Sequence, residues 1–527
     1  MDEQQTTANT ANTENTVNAA PSAEPFTAND PPKTEFSTKE KVLAWLAALV
    51  GYLFCRTFFV WNKPFMGLIF TVLLFAFAFV FFGKQRRKAR CYFYPVSALL
   101  LSAGLFLNGS PLLRFCVFTY AVVAFFLFCQ TGSDTALEDC AGQLYVLETV
   151  KALLVSPFKS IGAAVRSIGS NKGGKKLGKT LLLILAGIGL TIIPTTLVLG
   201  LLSYDANFTT ILENIRANVF DQIFSRLWSL IFGIPLGMFV YGALYTGAHP
   251  APDTYTRESC INLENKMKFM PALVGAVALI PLLFLYIVFI IAHADYYQAV
   301  FSGALPKAYT YAEFARDGFF RLCVAAAINA VVLILLRVFT RKTSTDRISP
   351  VVKICTAVLS LVTIVISATA ISQMLMYVSA YGLTRLRLYT LWFMALIILL
   401  FFLAIIKQFV TKLPFAAAAL AIFVLFFALL AVPDTDALIA EHNYDCYVSG
   451  RTEEIDVYYL EQLGPSAIPT LCQLATDERA DNMVRSHAAT LLEQYARDNK
   501  DRSVWELSLP ELRAERAYKE YKNNDAK

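Results

Sequence analysis

The chain has 527 residues, 56% hydrophobic and 13% aromatic, with 16% charged and a formal net charge of +6. Soluble domains carry roughly 25% charged residues, so a mean hydropathy of +0.51 and 41 Phe argue against a cytosolic enzyme and for a membrane protein. Charge is divided along the chain: residues 1–40 hold seven acids and two bases, 433–527 hold 19 acids and 11 bases, and 41–432 hold 33 bases against 14 acids. A belt of that sign suits anionic lipid and not nucleic acid.

Residues 1–36 are rich in Thr, Asn, Ala, Glu and Pro and cannot bury a core, so 1–40 are expected to be a disordered cytoplasmic segment. No charged start, short apolar core and cleavage site is present, so no signal peptide is expected. Apolar runs long enough to cross a bilayer then follow one another. They predict about eleven transmembrane helices, near 41–60, 65–82, 93–108, 112–130, 180–203, 223–246, 268–292, 319–340, 352–377, 386–407 and 413–432. The transmembrane bundle thus occupies 41–432.

Lys and Arg alternate between successive loops. GKQRRKAR follows the second run, and Lys151, Lys159, Arg166, Lys172, Lys175, Lys176 and Lys179 follow the fourth. The loops between are poorer. Basic loops stay in the cytoplasm, which puts the N-terminus inside and everything after the eleventh span outside. VKALLVSPFKSIGAAVRSI (150–168) reads as an amphipathic in-plane helix on the cytoplasmic surface, and NFTTILENIRANVFDQIF (207–224) as its outer counterpart; ordinary connecting helices are the alternative.

After Pro433 the pattern becomes that of soluble helices, near 435–443, 453–463, 466–476, 480–498 and 504–521. Thr452 with Glu453 and Glu454 reads as a helix start and Gly464-Pro465 as a stop. The fold class expected is therefore all-α: a polytopic bundle carrying a small soluble α-helical domain over 433–527.

Chemical motifs are few. GGKKLGKT (173–180) matches a phosphate-loop pattern but lacks the preceding strand, and reads as a basic juxtamembrane linker. NGS at Asn108 and NFT at Asn207 read as chance sequons. The ten Cys form no CxxC pair and the four His are dispersed, so no metal centre is expected; catalytic residues and cofactors are likewise none. If the C-terminal domain is outside, an oxidising compartment permits a Cys446–Cys472 disulfide.

The stretch richest in ionisable and aromatic residues at a membrane boundary is TYAEFARDGFFRLC (310–323). Thr310 and Glu313 fit a capping box. Ionisable residues at such depth are functional candidates, the alternative being a local network of Glu313, Arg316, Asp317 and Arg321. On the predicted topology Tyr311, Glu313, Arg316 and Asp317 share the outer face with Tyr381, Arg385 and Arg387 of YGLTRLRLYT, and with His442, Asp445 and Asp456. These ten form the candidate polar cluster. Gly382 suits a helix C-cap, Arg385 and Arg387 suit headgroup anchors, and Asn329 suits an interhelical hydrogen bond. Asp445 or Asp456 would be the long-range partner of Arg316, docking the outer domain over residues 311–320.

Taken together, LLSYDANF, YAEFARDGFFRL, YGLTRLRLY and DALIAEHNYD…EEIDVYYLEQLGPSAIPTL resemble a family of uncharacterised bacterial polytopic membrane proteins, domain of unknown function 4173, and its relative 4153. The resemblance covers 180–475 and implies a bacterial inner-membrane protein, but no activity and no catalytic residues. The function expected is a non-enzymatic sensor, scaffold or envelope accessory, with membrane lipid and an envelope or signalling membrane protein as partners. The alternative is a transporter or a lipid- or glycan-handling enzyme working through the outer-face residues.

Overall fold

The computed structural model describes residues 36–56, 64–83, 89–131, 136–137, 141–142, 144–168, 221–249, 256–292, 311–341, 349–410, 412–498 and 508–525, with a few isolated positions between 187 and 198. At 64–65, 221–225, 311–318 and 525 the backbone alone is described. Among the described residues there is no strand, only an isolated bridge between Met270 and Thr340.

The membrane-type helices are α1 (Thr38–Cys55), α2 (Pro64–Phe82), α3 (Phe93–Ser102), α4 (Gly104–Leu107) and α5 (Pro111–Gln130). A helical run follows from α6 (Tyr145–Val150) through a π turn (Lys151–Val155) into α7 (Ser156–Ile168). Then come α8 (Asp221–Ala248), α9 (Arg257–Met267), α10 (Ala272–Ala292), α11 (Tyr311–Phe339), α12 (Pro350–Tyr381), α13 (Arg385–Phe409) and α14 (Phe415–Ala431).

Seven helices among the described residues are long and apolar enough to cross a membrane: Ala89–Leu107, Pro111–Gln130, Arg226–Ala248, Ala272–Ala292, Phe319–Phe339, Pro350–Tyr381 and Arg385–Phe409. An eighth counts if α14 and the helix after it, which meet at 58°, are one broken span. Of the other expected spans, 41–60 and 65–82 correspond to α1 and α2, which are not among the seven, and 180–203 lies outside the described residues. So do the phosphate-loop-like stretch, residues 207–220 and 1–35.

Two apolar cores hold the bundle. One packs α1, α2, α3, α5, α7 and α8 around Phe75, Phe81, Phe125, Phe128, Tyr241 and Leu244. The other packs α11, α12 and α13 around Phe319, Ile366, Met374, Met394 and Phe401. Between them α14 lies against α3, α5 and α13 through Leu101, Val117, Phe427 and Leu430. Water is scarce between membrane helices, so polar side chains there must find one another. Asn329, fully buried, accepts from the Tyr286 hydroxyl at 2.9 Å and donates to Thr363 Oγ1 at 2.9 Å, tying α10, α11 and α12 together as its interhelical reading anticipates.

The bundle has two distinguishable ends. At one, Lys39 Nζ donates to the Phe81 carbonyl at 3.3 Å, Ser156 Oγ donates to Gln130 Oε1 at 2.7 Å, and His249 meets Glu40 at 3.0 Å. At the other, the start of α5, the end of α12, the start of α13 and the end of α14 converge.

Beyond α14 lie α15 (Thr435–Val448), α16 (Val457–Gln462), a 3-10 turn (Gly464–Ala467), α17 (Ile468–Thr476), α18 (Asn482–Asp498) and α19 (Leu509–Asp525). They enclose their own core, built on Ile439, Leu460, Leu463, Leu471, Leu474, Ala488, Leu492 and Ala514. The start of α16 differs from expectation. Asp456, not Thr452, is its N-cap, accepting from Tyr459 N–H at 2.9 Å, so Glu453 and Glu454 precede the helix. An Asp side chain reaches its own third-following N–H without help, so the helix begins where that cap stands. Cys446 and Cys472 are both buried and free; no disulfide links them.

Candidate functional site

Among the described residues a dense buried polar arrangement lies where the C-terminal helices meet the second bundle end. Its first component is the turn Gly382–Thr384 between α12 and α13. Gly382 has φ +73°, a conformation costly for residues with a Cβ. It ends α12, as its C-cap reading anticipates. A Cβ there would also come within 2.8 Å of Asn443 Oδ1. That closeness lets the Asn443 amide clasp the Leu383 backbone, accepting from its N–H at 2.6 Å and donating to its carbonyl at 2.9 Å.

Arg385 opens α13. Its Nε and Nη2 donate to Asp436 Oδ1 and Oδ2 at 2.8 and 2.7 Å. Asp436 is 0% exposed and Arg385 29%, so the pair is largely out of water, where a forked two-bond geometry counts most. The Arg385 N–H also donates to the Tyr459 hydroxyl at 2.6 Å. One residue of the bundle is thus gripped by both α15 and α16.

The third component is the turn Asn108–Ser110 before α5. The fully buried Asn108 amide donates to the carbonyls of Ala431 at 3.2 Å and Pro433 at 2.5 Å, and to Thr435 Oγ1 at 3.4 Å. Its amide is committed to α14 and α15, so the sequon there is structural. Ser110 Oγ lies 2.8 Å from the Tyr389 hydroxyl of α13, and Arg114 Nε donates to the Asn108 carbonyl at 2.7 Å.

Asp434 bridges these parts. Its Oδ1 accepts from Ser466 Oγ at 2.9 Å and from the N–H groups of Gly109 and Ala437 at 3.4 Å. Its Oδ2 is buried without a hydrogen-bond partner. Burial pushes the carboxyl above the usual carboxylate range, against the pull of Ser466 and the two N–H groups.

The ten residues of the predicted cluster are therefore distributed unevenly. The side chains of Tyr311, Glu313, Arg316 and Asp317 lie outside the described residues. Arg385 is in the junction, paired with Asp436. Arg387 donates to the Tyr381 and Gly382 carbonyls and lies 4.2 Å from the Tyr377 ring centroid, again held by protein. Tyr381 contributes its carbonyl while its side chain is 53% exposed. His442 faces Cys446 at 3.5 Å, Asp445 is exposed, and Asp456 caps α16. Asn108, Ser110, Asp434, Asp436, Asn443, Tyr459 and Ser466 were not singled out as site residues from sequence. Asn443 and Asp436 carried a signal: they stand on the α15 segment DALIAEHNYD, a polar run directly after an apolar span.

Among the described residues no three His, Cys, Asp or Glu side chains are grouped to hold a metal ion. The junction is a set of saturated contacts between elements, with one free carboxylate oxygen. A family model described as Domain of unknown function (DUF4153) matches residues 96–474. The match starts well before the stretch on which the sequence resemblance rests, and takes in the Asn108 turn as well as α15, α16 and α17 as far as Leu474. No curated protein and no solved structure matches the chain.

Proposed function

We propose that this chain, which belongs to the DUF4153 family, is a multi-pass cell-membrane protein whose C-terminal helices form an external domain clamped to the bundle. On this reading it works without catalysis, as a sensor, scaffold or envelope accessory, and its partner is another envelope or signalling membrane protein. Kinship with domain of unknown function 4173 belongs to the same proposal and rests on the shared segments around 204, 311, 381 and 436–470.

The observation that carries the reading is the Arg385–Asp436 pair, with Asp436 0% exposed. A reaction site needs polar groups left open toward a substrate. Here the arginine, both carboxylate oxygens of Asp436 and the Asn443 amide are spent on joining one element to another. Such a junction transmits position. What supports the sidedness is charge: Lys39, Lys151, Lys159 and Arg166 gather with the end of α8 at the first bundle end, and the acid-rich C-terminal helices stand at the other.

The test is a pair of reporters fused after residue 527, one active only in the cytoplasm and one only outside it. Activity of the second alone is expected. Activity of the first alone would overturn the external domain and the function built on it.

A further inference from the structure

We propose that the clamped junction described above, on which this rests, is a latch worked by a proton: one proton held at Asp434 fastens the C-terminal helices to the bundle, and its loss loosens them.

Asp434 stands where three parts meet. It is the N-cap of α15, it accepts from the Gly109 N–H in the turn before α5, and it accepts from Ser466 Oγ in the 3-10 turn. The parts are close, for a Cβ on Gly109 would overlap Ser466 Oγ. All three hydrogen bonds fall on Oδ1, and only the one from Ser466, at 2.9 Å, is short; those from Gly109 and Ala437 are 3.4 Å. Oδ2 is buried with no partner. An ionised carboxylate taken out of water needs donors or a cation at both oxygens. Here it has one neutral hydroxyl and two long N–H contacts.

The cations nearby are engaged elsewhere. Arg385 forks onto both oxygens of Asp436. Arg114 gives its Nε to the Asn108 carbonyl, and its charge acts on Glu511 of α19 ahead of Asp434 and Asp436. Tyr389 of α13, whose hydroxyl lies 2.8 Å from Ser110 Oγ, is an uncharged phenol, and α14 brings no titratable group. Among the described residues, Asp434, Asp436 and Glu511 thus face two guanidinium groups, Arg114 and Arg385, which leaves one negative charge in excess. A proton on Asp434 removes it. Burial, with the Asp436 charge beside it, raises the Asp434 carboxyl accordingly.

Undocking reverses these conditions. Once α15 leaves the bundle, Asp434 returns to water as an ordinary carboxylate. The docked state therefore binds the proton more tightly, and by linkage the proton favours docking. Its contribution is complete in the ordinary carboxylate range and below, and is lost as pH rises through the raised value. With the C-terminal helices on the outer side, the signal is the acidity of that compartment.

The full chain in nanodiscs tests this beside Asp434→Asn, which is neutral at every pH and still caps a helix. The first readout is the infrared carbonyl stretch of a protonated carboxyl, taken as the unaltered chain minus the variant. The band should be present just above the pH range in which exposed carboxylates ionise, and disappear as pH rises further. The second readout is protease cleavage between Pro433 and Thr452. The ratio of the two cleavage rates, unaltered chain over variant, cancels the protease's own pH dependence. It should equal one in acid and climb above one over the interval in which the band is lost. A missing band or a ratio that ignores pH overturns the proposal. So does a ratio set by sodium or potassium concentration at fixed pH, which would make the occupant a metal ion. Asp436→Ala checks the clamp separately and should speed cleavage at every pH. Failure there sinks clamp and latch together, whereas a flat ratio beside a sensitive Asp436→Ala sinks the latch alone.

Discussion

At the scale of single residues, the junction makes two sharp claims. The first concerns Asp436. Removing one partner of a buried pair leaves the other charge uncompensated, a loss of about 3 kcal/mol or more. Asp436→Ala should therefore lower the unfolding temperature in nanodiscs and speed protease cleavage between Pro433 and Thr452. Asp445→Ala, at an exposed position of the same helix, should do neither. Equal behaviour of the two variants would show that the pair holds nothing together. The second concerns Asp434, whose carboxyl burial raises. A folded-state value above the unfolded one means that the folded chain binds the proton more tightly, so its contribution is present at low pH and lost as pH rises through the raised value. Asp434→Asn keeps a neutral group there. Its stability gain over the unaltered chain should be present at neutral pH and vanish on acidification into the ordinary carboxylate range. A gain independent of pH would refute the assignment. Little of this was legible in the sequence. Arg385 reads in the sequence as a headgroup anchor and Asp445 or Asp456 as the long-range partner of Arg316; nothing in the spacing marks Asp436. The rotation of α15 turns Asp436 toward α13, and that rotation is set by the packing of Ile439 and Ala440, both 0% exposed.

Elements are joined here by small residues as much as by polar ones. In α8 the stretch Gly233-Ile-Pro-Leu-Gly237 places two glycines on one face, and α1 answers with Ala47, Ala48 and Gly51. A Cβ on Gly237 would overlap the Ala47 carbonyl oxygen, and one on Gly51 that of Gly233. Lipid tails are as apolar as the helices, so close backbone packing must supply the attraction that the hydrophobic effect provides in water. Gly237→Leu should thus separate α1 from α8 and cost about 1–3 kcal/mol through overpacking, more if α1 detaches. Gly162→Ala in α7 is the control: nothing lies within 4 Å of a Cβ there, and relief of glycine's backbone entropy should stabilise by about 0.5–1 kcal/mol. Thermal unfolding of both variants beside the unaltered chain reads the difference, and a tolerated Gly237→Leu would mean that the helices do not touch as described. Helix existence was written in the apolar runs, since a run of that length has few other fates. The pairing of α1 with α8 was not, because the same small residues occur on faces that pack against nothing.

For the whole molecule, the question is whether the C-terminal helices are a domain or an extension of the bundle. Their core is their own: Leu460, Leu474, Ala488, Leu492 and Ala514 are each 0% exposed and lie on four different helices of the unit, α16 to α19. Among the described residues the bundle adds only Leu383 and Leu388 to that core. Their surface is charged like that of a soluble protein, with 19 acids and 11 bases in 433–527. Asp477 is held well below the usual carboxylate range by Arg479 and by the Tyr444 hydroxyl, an interaction internal to the unit. What the unit would lose on separation is the junction, where Asp434 and Asp436 would return to water, their ordinary medium. The segment 433–527 expressed alone should therefore be soluble, helical by circular dichroism and cooperative in urea unfolding, though less stable than within the full chain. Asp436→Ala, so costly in the full chain, should be nearly silent in the isolated segment, because its arginine partner is absent. An isolated segment that is unfolded or aggregated would show that the bundle end is part of its core, and would remove the independent domain from the proposed function. A segment that folds but still loses stability on Asp436→Ala would place the role of that carboxylate inside α15, not in the junction.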